Sequence, residues 1–276
     1  MALNSINTNS AALVALQNLS STQTDLASTQ NIISTGKKIN SAKDNGAVWS
    51  IAQTMQGKVS AFDSVKDSLN RAQSTIDVAM SAGQQVSDLL TQMKAKALAA
   101  SDTSLDSTSR TALNEDFKSL RDQIGKVVSN ADFNGINMVK SGGTTVYALA
   151  NDTGSSKLTV AAQDLSLGGA NVSLSATASF NSAATASAYI ATLDTNLTAV
   201  NTALTKLGTG SNALASHLKF VSGLQNSLQT GISNLVDADM AAESAKLQAL
   251  QTKQQLGVQA LSIANQSTSI MLSLFR

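Results

Sequence analysis

From residue 51 to residue 100 the apolar positions of this chain fall alternately four and three residues apart. They run Ile51, Met55, Phe62, Val65, Leu69, Ala72, Ile76, Ala79, Val86, Leu90, Met93, Ala97 and Ala100, and only Lys58 and Gly83 interrupt the spacing. A period of 3.5 held over this length is the pattern of a helix packed on another helix. Unbroken, that helix is roughly 75 Å long at 1.5 Å per residue. A shorter seam follows at Leu113, Phe117, Leu120, Ile124 and Val127, in a helix beginning near 107–109, after a turn at 100–106. Asp132-Phe133-Asn134-Gly135 ends it with Asn-Gly, a strong turn signal.

Between about 141 and 180 the texture changes. The runs Thr144-Thr145-Val146-Tyr147, Leu158-Thr159-Val160 and Val172-Ser173-Leu174 are short, β-prone and separated by glycine-rich or polar breaks, which predicts one or two β-hairpins. Helical spacing then returns at Ile190, Leu193, Leu197, Val200, Leu204, Leu207, Leu214, Leu218, Val221, Leu228, Ile232 and Leu235. Ser211 and Gln225 are its polar interruptions. The phase survives Gly208 and Gly210, so one bent or continuous helix is expected there.

Both ends of the chain are apolar helices that carry almost no charge. Leu16, Leu19, Gln23, Leu26, Gln30 and Ile33 hold the spacing near the start, and Leu247, Leu250, Val258, Leu261, Ile270 and Leu274 near the finish. Asp25 is the only charged side chain between 1 and 36, and there is none between 254 and 275. Helices this greasy are poor elements on their own and need a partner to cover them. Two arrangements meet that need: two more helices of one closed bundle, or arms that pack on each other and on copies of themselves, which makes the chain a polymer subunit.

Composition removes most other functions. Charged residues are 13% and the net charge is +1, so nothing points to nucleic acid or to a charged membrane surface. There is no Cys and no Pro, and His217 is the single histidine. Disulfides, thiolate catalysis and clusters of His or Cys around a metal are thereby excluded, and no proline breaks a helix. No nucleophile–base set, metal cluster or cofactor loop is visible, so no enzyme is expected and no cofactor. His217 reads as surface packing, and Trp49 as packing at a junction between layers. Asp237, Asp239 and Glu243 read as the acidic start of a helix. Lys37, Lys38, Lys43 and Asp44 suit either interface ion pairs or a solvated link. Asn-x-Ser/Thr triplets at Asn18, Asn151, Asn171, Asn196 and Asn265 are what chance gives in a chain this rich in those residues. No secretory signal and no run of 18 apolar residues is seen.

Several stretches resemble one family. Ile33-Ser34-Thr35-Gly36-Lys37-Lys38-Ile39-Asn40-Ser41-Ala42-Lys43-Asp44-Asn45 is similar to the N-terminal signature of bacterial flagellins, and Asn70-Arg71-Ala72-Gln73-Ser74-Thr75-Ile76 to their next block. Asp132-Phe133-Asn134-Gly135-Ile136-Asn137 resembles the turn before the family's variable region. Ile232-Ser233-Asn234-Leu235-Val236-Asp237-Ala238-Asp239 resembles the start of its last helix, and Leu272-Ser273-Leu274-Phe275-Arg276 the finish. The short interior is similar to that of alphaproteobacterial, Caulobacter-like flagellins without large outer domains.

The resemblance implies a mainly α fold: long antiparallel helices with coiled-coil-type packing and a small β-hairpin region, folded back so that both termini meet. It implies a terminal helical domain from 1–43 and 236–276, lining the filament core. A helical rod from 44–235 would carry the hairpin insert at about 141–180. Packing between subunits or in the core is expected from Leu3, Ile6, Leu13, Leu16, Leu19, Leu26, Ile33, Leu247, Leu250, Val258, Leu261, Ile270, Leu274 and Phe275. The implied function is the structural subunit of the flagellar filament, exported unfolded without a cleaved signal and self-assembling outside the cell for swimming. The expected partners are copies of itself, the flagellar cap, hook-junction proteins and an export chaperone, with no nucleic acid and no membrane insertion. A hook–filament junction protein is the alternative within the same axial family. A secreted coiled-coil translocator would need a long apolar membrane segment, which is missing. Some flagellins are sensed by a vertebrate Toll-like receptor through an Arg–Glu pair, and Gln92-Met93-Lys94-Ala95 lacks that Glu.

Overall fold

The computed structural model of the chain describes residues 8–274, with side chains described for 8–266. The elements are α1 (Ser10–Thr35), α2 (Ala42–Ala100), α3 (Ser107–Asn130), β1 (Val146–Leu149), β2 (Lys157–Val160), α4 (Ala183–Val236) and α5 (Met240–Leu274). They gather into two compact units, one of residues 1–57 with 227–276 and one of Lys58–Asn226. The expected positions Leu3, Ile6 and Phe275 lie outside the described residues, as do the side chains of Ile270 and Leu274.

In the unit Lys58–Asn226, α2 buries Val65, Leu69, Ile76, Val86, Leu90, Met93 and Ala97, on the seam that the 3.5 period predicts. The phase differs at the seam's beginning. Ala52 and Val59 are buried where Ile51 and Lys58 were expected, and Ile51 is half exposed. Apolar residues stand side by side there, and a one-residue shift moves Lys58 into solvent, where its ammonium stays hydrated. From α4 come Leu193, Val200, Leu207, Leu214 and Val221. Lys94 Nζ meets Asp194 Oδ1 at 2.5 Å while Gln225 Nε2 reaches Asp63 Oδ1 at 2.7 Å, so α2 and α4 run antiparallel. The helix α4 passes Gly208 and Gly210 without a break.

The turn into α3 is fastened by Arg110, whose guanidinium donates to the carbonyls of Ala100, Asp102 and Leu105 at 2.9–3.0 Å. Asp106 caps α3 by accepting from the Ser109 N–H at 2.9 Å. Along α3, Phe117 is fully buried and meets Phe180 edge-on at 5.1 Å and Tyr189 at 5.6 Å. The Asn-Gly signal is a two-residue turn: Asn134 (φ 53°) and Gly135 (φ 80°) lie between Phe133 and Ile136, which exchange backbone hydrogen bonds at 3.0 Å.

One hairpin occupies the β-prone region, with β1 antiparallel to β2 and Val146 opposite Val160. The run Val172-Ser173-Leu174 is not a strand. The Asn196 side chain takes the Ser173 N–H at 3.1 Å, and the Leu174 carbonyl accepts from Gly168, so the run forms no β ladder. Val172 and Leu174 are nonetheless buried.

Candidate functional site

The expected assembly residues that the structure describes fall in the unit formed by residues 1–57 and 227–276. Here α1 starts at the Asn9 cap, whose side chain accepts from the Ala12 N–H at 3.0 Å. It ends at Gly36 (φ 71°), whose N–H closes on the Ile32 carbonyl at 2.8 Å. At the other end Asp239 caps α5, accepting from the N–H groups of Ala241 and Ala242 at 2.9 and 3.1 Å. The connections into these helices are tied chiefly by backbone. Lys38 and Ile39 donate to the Val236 carbonyl at 2.8 and 3.3 Å, and Ala238 donates to the Gly36 carbonyl at 3.0 Å.

Lys38 spends its ammonium on the Asn234 carbonyl at 3.2 Å, and no ion pair among the described residues includes Lys37, Lys38, Lys43 or Asp44. The Asp44 carboxylate accepts from the N–H groups of Ser41 and Asn40 and from the Ser41 hydroxyl, which together hold its pKa below the usual carboxylate value. Trp49 is half-buried in a groove of about 240 Å³ with Lys37, Ile39, Ile232 and Val236.

Packed antiparallel, α1 and α5 are joined at one end by Asn9 Nδ2 donating to the Ala264 carbonyl at 2.8 Å. The covered positions of α1 include Ala12, Ala15, Leu19, Thr22, Leu26, Thr29 and Ile33; those of α5 include Leu247, Leu250, Gln254, Gly257, Leu261 and Ala264. Both sets alternate three and four apart, a coiled-coil seam. Leu19 and Leu250 are buried in it, and Leu26, Ile33, Leu247 and Leu261 are half-buried. Ala15, Thr22 and Thr29 stand where the sequence pattern placed Leu16, Gln23 and Gln30. The signal for them was size: Ala and Thr on α1, with Gly257 of α5 against Leu19, let two helices approach closely.

Leu13, Leu16 and Val258 lie outside this seam, together with Val14, Leu256 and Ile263. Each of the six is more than half exposed. Asp25 is exposed on the same helix, the one formal charge of α1. At the base of α5, Glu243 keeps only 20% of its side chain exposed, and its Oε2 faces Lys246 Nζ at 3.5 Å in an ion pair without hydrogen-bond geometry.

Elsewhere the chemistry is structural. His217 Nε2 lies 2.8 Å from the Ala150 carbonyl and its ring 5.7 Å from Phe220, at the surface of the unit Lys58–Asn226. Among the described residues no group of three His, Asp or Glu is placed to hold a metal ion, and no helix is long and apolar enough to cross a membrane.

Residues 6–144 match the bacterial flagellin N-terminal helical region, and residues 190–275 match the bacterial flagellin C-terminal helical region. The chain belongs to the bacterial flagellin family. It is 59% identical to flagellin FljM of Caulobacter vibrioides over 276 residues, covering all of both chains. To a flagellin of Brucella melitensis it is 40% identical over 282 residues, covering 99% of each. The fold is similar to the crystal structure of Bacillus cereus flagellin, with a TM-score of 0.50 and 22% identity over 56% of this chain and 88% of that one. As a flagellin it is a structural subunit of the flagellar filament, of the short type with no large outer domain, and FljM, FljO and FljK of Caulobacter vibrioides, which it matches over their full length, are flagellins.

Proposed function

We propose that this flagellin polymerises through the faces of α1 and α5 that its own fold leaves uncovered. The arms 1–43 and 236–276 then line the core of the filament, and 44–235 forms the surrounding rod. The observation that carries this reading is the six large aliphatic side chains, each more than half exposed, on two helices that are nearly free of charge. A solvated surface of that kind is costly for a monomer and is relieved when a neighbouring copy covers it. Leu13, Leu16 and Val258 become contacts between subunits, while Leu19, Leu26, Ile33, Leu247, Leu250 and Leu261 hold each arm together. Leu3, Ile6, Ile270, Leu274 and Phe275 extend the same apolar character to the chain ends.

The protein acts by assembly and carries no enzymatic activity and no cofactor. It leaves the cell unfolded through the flagellar export apparatus, kept from premature assembly by an export chaperone. Subunits add beneath the flagellar cap, onto a base of hook-junction proteins, and the filament stands outside the cell without inserting in a membrane.

The test is electron microscopy of purified protein after seeding or salting-out. Ordered filaments are expected; a stable soluble monomer or only unordered aggregate overturns the reading. Limited proteolysis adds a second check. The arms should be cut first in monomer and protected in filament, and equal resistance in both states contradicts the role given to them.

A further inference from the structure

The seam between α2 and α4 within Lys58–Asn226 is nearly uniform. Small and aliphatic side chains repeat along both helices, so sliding α4 by seven residues, about 10 Å at 1.5 Å each, still sets apolar groups against apolar groups. Hydrophobic burial alone therefore does not choose among registers. Besides the exposed Lys94–Asp194 ion pair, three places break the uniformity. Gly83 is a hole in α2 that Leu204 fills, because a Cβ at 83 would come 2.7 Å from Leu204 Cδ2. Ser211 Oγ accepts a hydrogen bond from Gln73 Nε2. Gln225 donates to Asp63 Oδ1 at 2.7 Å and to the Val59 carbonyl at 3.2 Å, while its own oxygen accepts from Lys66 Nζ at 3.2 Å.

We propose that Gly83, Ser211 and Gln225 form a register lock that selects one pairing of α2 with α4 as the chain folds. Ser211 and Gln225 are the two polar interruptions of the α4 pattern, and Gly83 is a gap in the α2 pattern. Ser211 and Gln225 find their complements only in the observed alignment, and Gly83 disfavours the one direction of slip that sets Ser211 instead of a leucine over its hole. A slip of one heptad sets Leu204 or Leu218 against the Gln73 amide and takes Gln225 away from Asp63 and Lys66. Gln73 keeps its same-helix acceptor Asp77 at 3.2 Å, but the part-buried Gln225 amide stripped of its partners is penalised, whereas a leucine moved from one apolar contact to another is nearly indifferent. A polar residue at one seam position fixes helix register in coiled coils for the same reason, at some expense in stability.

The chain contains no cysteine, so spin labels can be placed at two introduced sites. Ser60→Cys on α2 and Thr198→Cys on α4 are exposed positions of this unit. Pulsed electron resonance on the labelled monomer should give one distance. In the Ser211→Leu/Gln225→Leu background we expect circular dichroism to show the same helix content, and a second distance to appear, displaced by about 10 Å for a one-heptad slip. A single unshifted distance with helix content intact overturns the proposal. Loss of helix content overturns it as well, since the polar groups would then be supporting the seam rather than choosing its alignment.

Discussion

Gly257 of α5 lies directly against Leu19 of α1: a Cβ at position 257 would come 3.2 Å from the leucine's Cδ1. The two helices meet closely at that point, so a larger side chain requires Leu19 to give way. Gly257→Leu should therefore force α1 and α5 apart, at about 1–3 kcal/mol for overpacking of a fitted site. Hydrogen exchange on the monomer reads this directly. Amides of α1 and α5 should lose protection while those of α3 keep theirs.

The seam and the uncovered face make opposite predictions for leucine substitutions. Leu19→Ala or Leu250→Ala removes a buried side chain and should weaken the α1–α5 pairing by about 2 kcal/mol, near the low end for such truncations because the seam is narrow. Leu13→Ser and Leu256→Ser alter exposed side chains and should leave monomer stability within about 0.5 kcal/mol. Their effect should appear on assembly. Losing roughly 1.5 kcal/mol of burial per subunit contact raises the critical concentration about tenfold, as measured by sedimentation of seeded filaments.

Phe117 anchors the unit Lys58–Asn226 from α3, with Phe180 and Tyr189 on its ring. Phe117→Ala should cost about 3–5 kcal/mol, the range for emptying a fully buried aromatic site. Urea denaturation of the monomer should show the loss as a lower midpoint. Phe220→Ala, at a side chain that is 61% exposed, should move that midpoint little.

Acid should loosen the turns before the helices. The backbone N–H and hydroxyl of Ser104 hold Asp102 below the usual carboxylate pKa; Asp106 is held down by the Ser109 hydroxyl and N–H, and Asp44 by Ser41 and Asn40. Each group thus binds its proton less readily folded than unfolded. Its contribution is complete above the unfolded carboxylate value of about 4 and disappears as the pH falls through the lower folded value. The thermal midpoint should be flat from pH 7 to about 4 and drop below it. In Asp102→Asn/Asp106→Asn the drop should be shallower.

The long seams were legible because their period depends on geometry that a single chain satisfies: a helix packed on a helix must repeat near 3.5. Leu69, Ile76, Leu90 and Met93 could be assigned from spacing alone. The start of α2 was misphased at Ile51 and Lys58 because adjacent apolar residues allow two phases, and only packing chooses Ala52 and Val59. In α1 the pattern pointed to Leu16 instead of Ala15, because hydrophobicity ranks bulk, whereas a close helix pair selects small residues. Thr29 was invisible for the same reason; it is fully buried and carries a hydroxyl. At Val172-Ser173-Leu174 strand propensity was real, but Asn196, distant in sequence, captured the donor that a ladder needed. The exposed aliphatics of the arms were legible as an excess of grease without charge. Which of them the chain covers itself depends on rotation of α1 against α5, which spacing does not give.

The link between Lys37–Ile39 and Val236–Ala238 is made chiefly by peptide groups, with the Lys38 ammonium adding one bond to the Asn234 carbonyl. Lys37 is exposed and pairs with Asp237 through its backbone, so at that position charge and size are free to vary without loosening the connection. A fluorophore or affinity handle carried on Lys37 should accordingly be accepted where the same cargo on Leu19 would not.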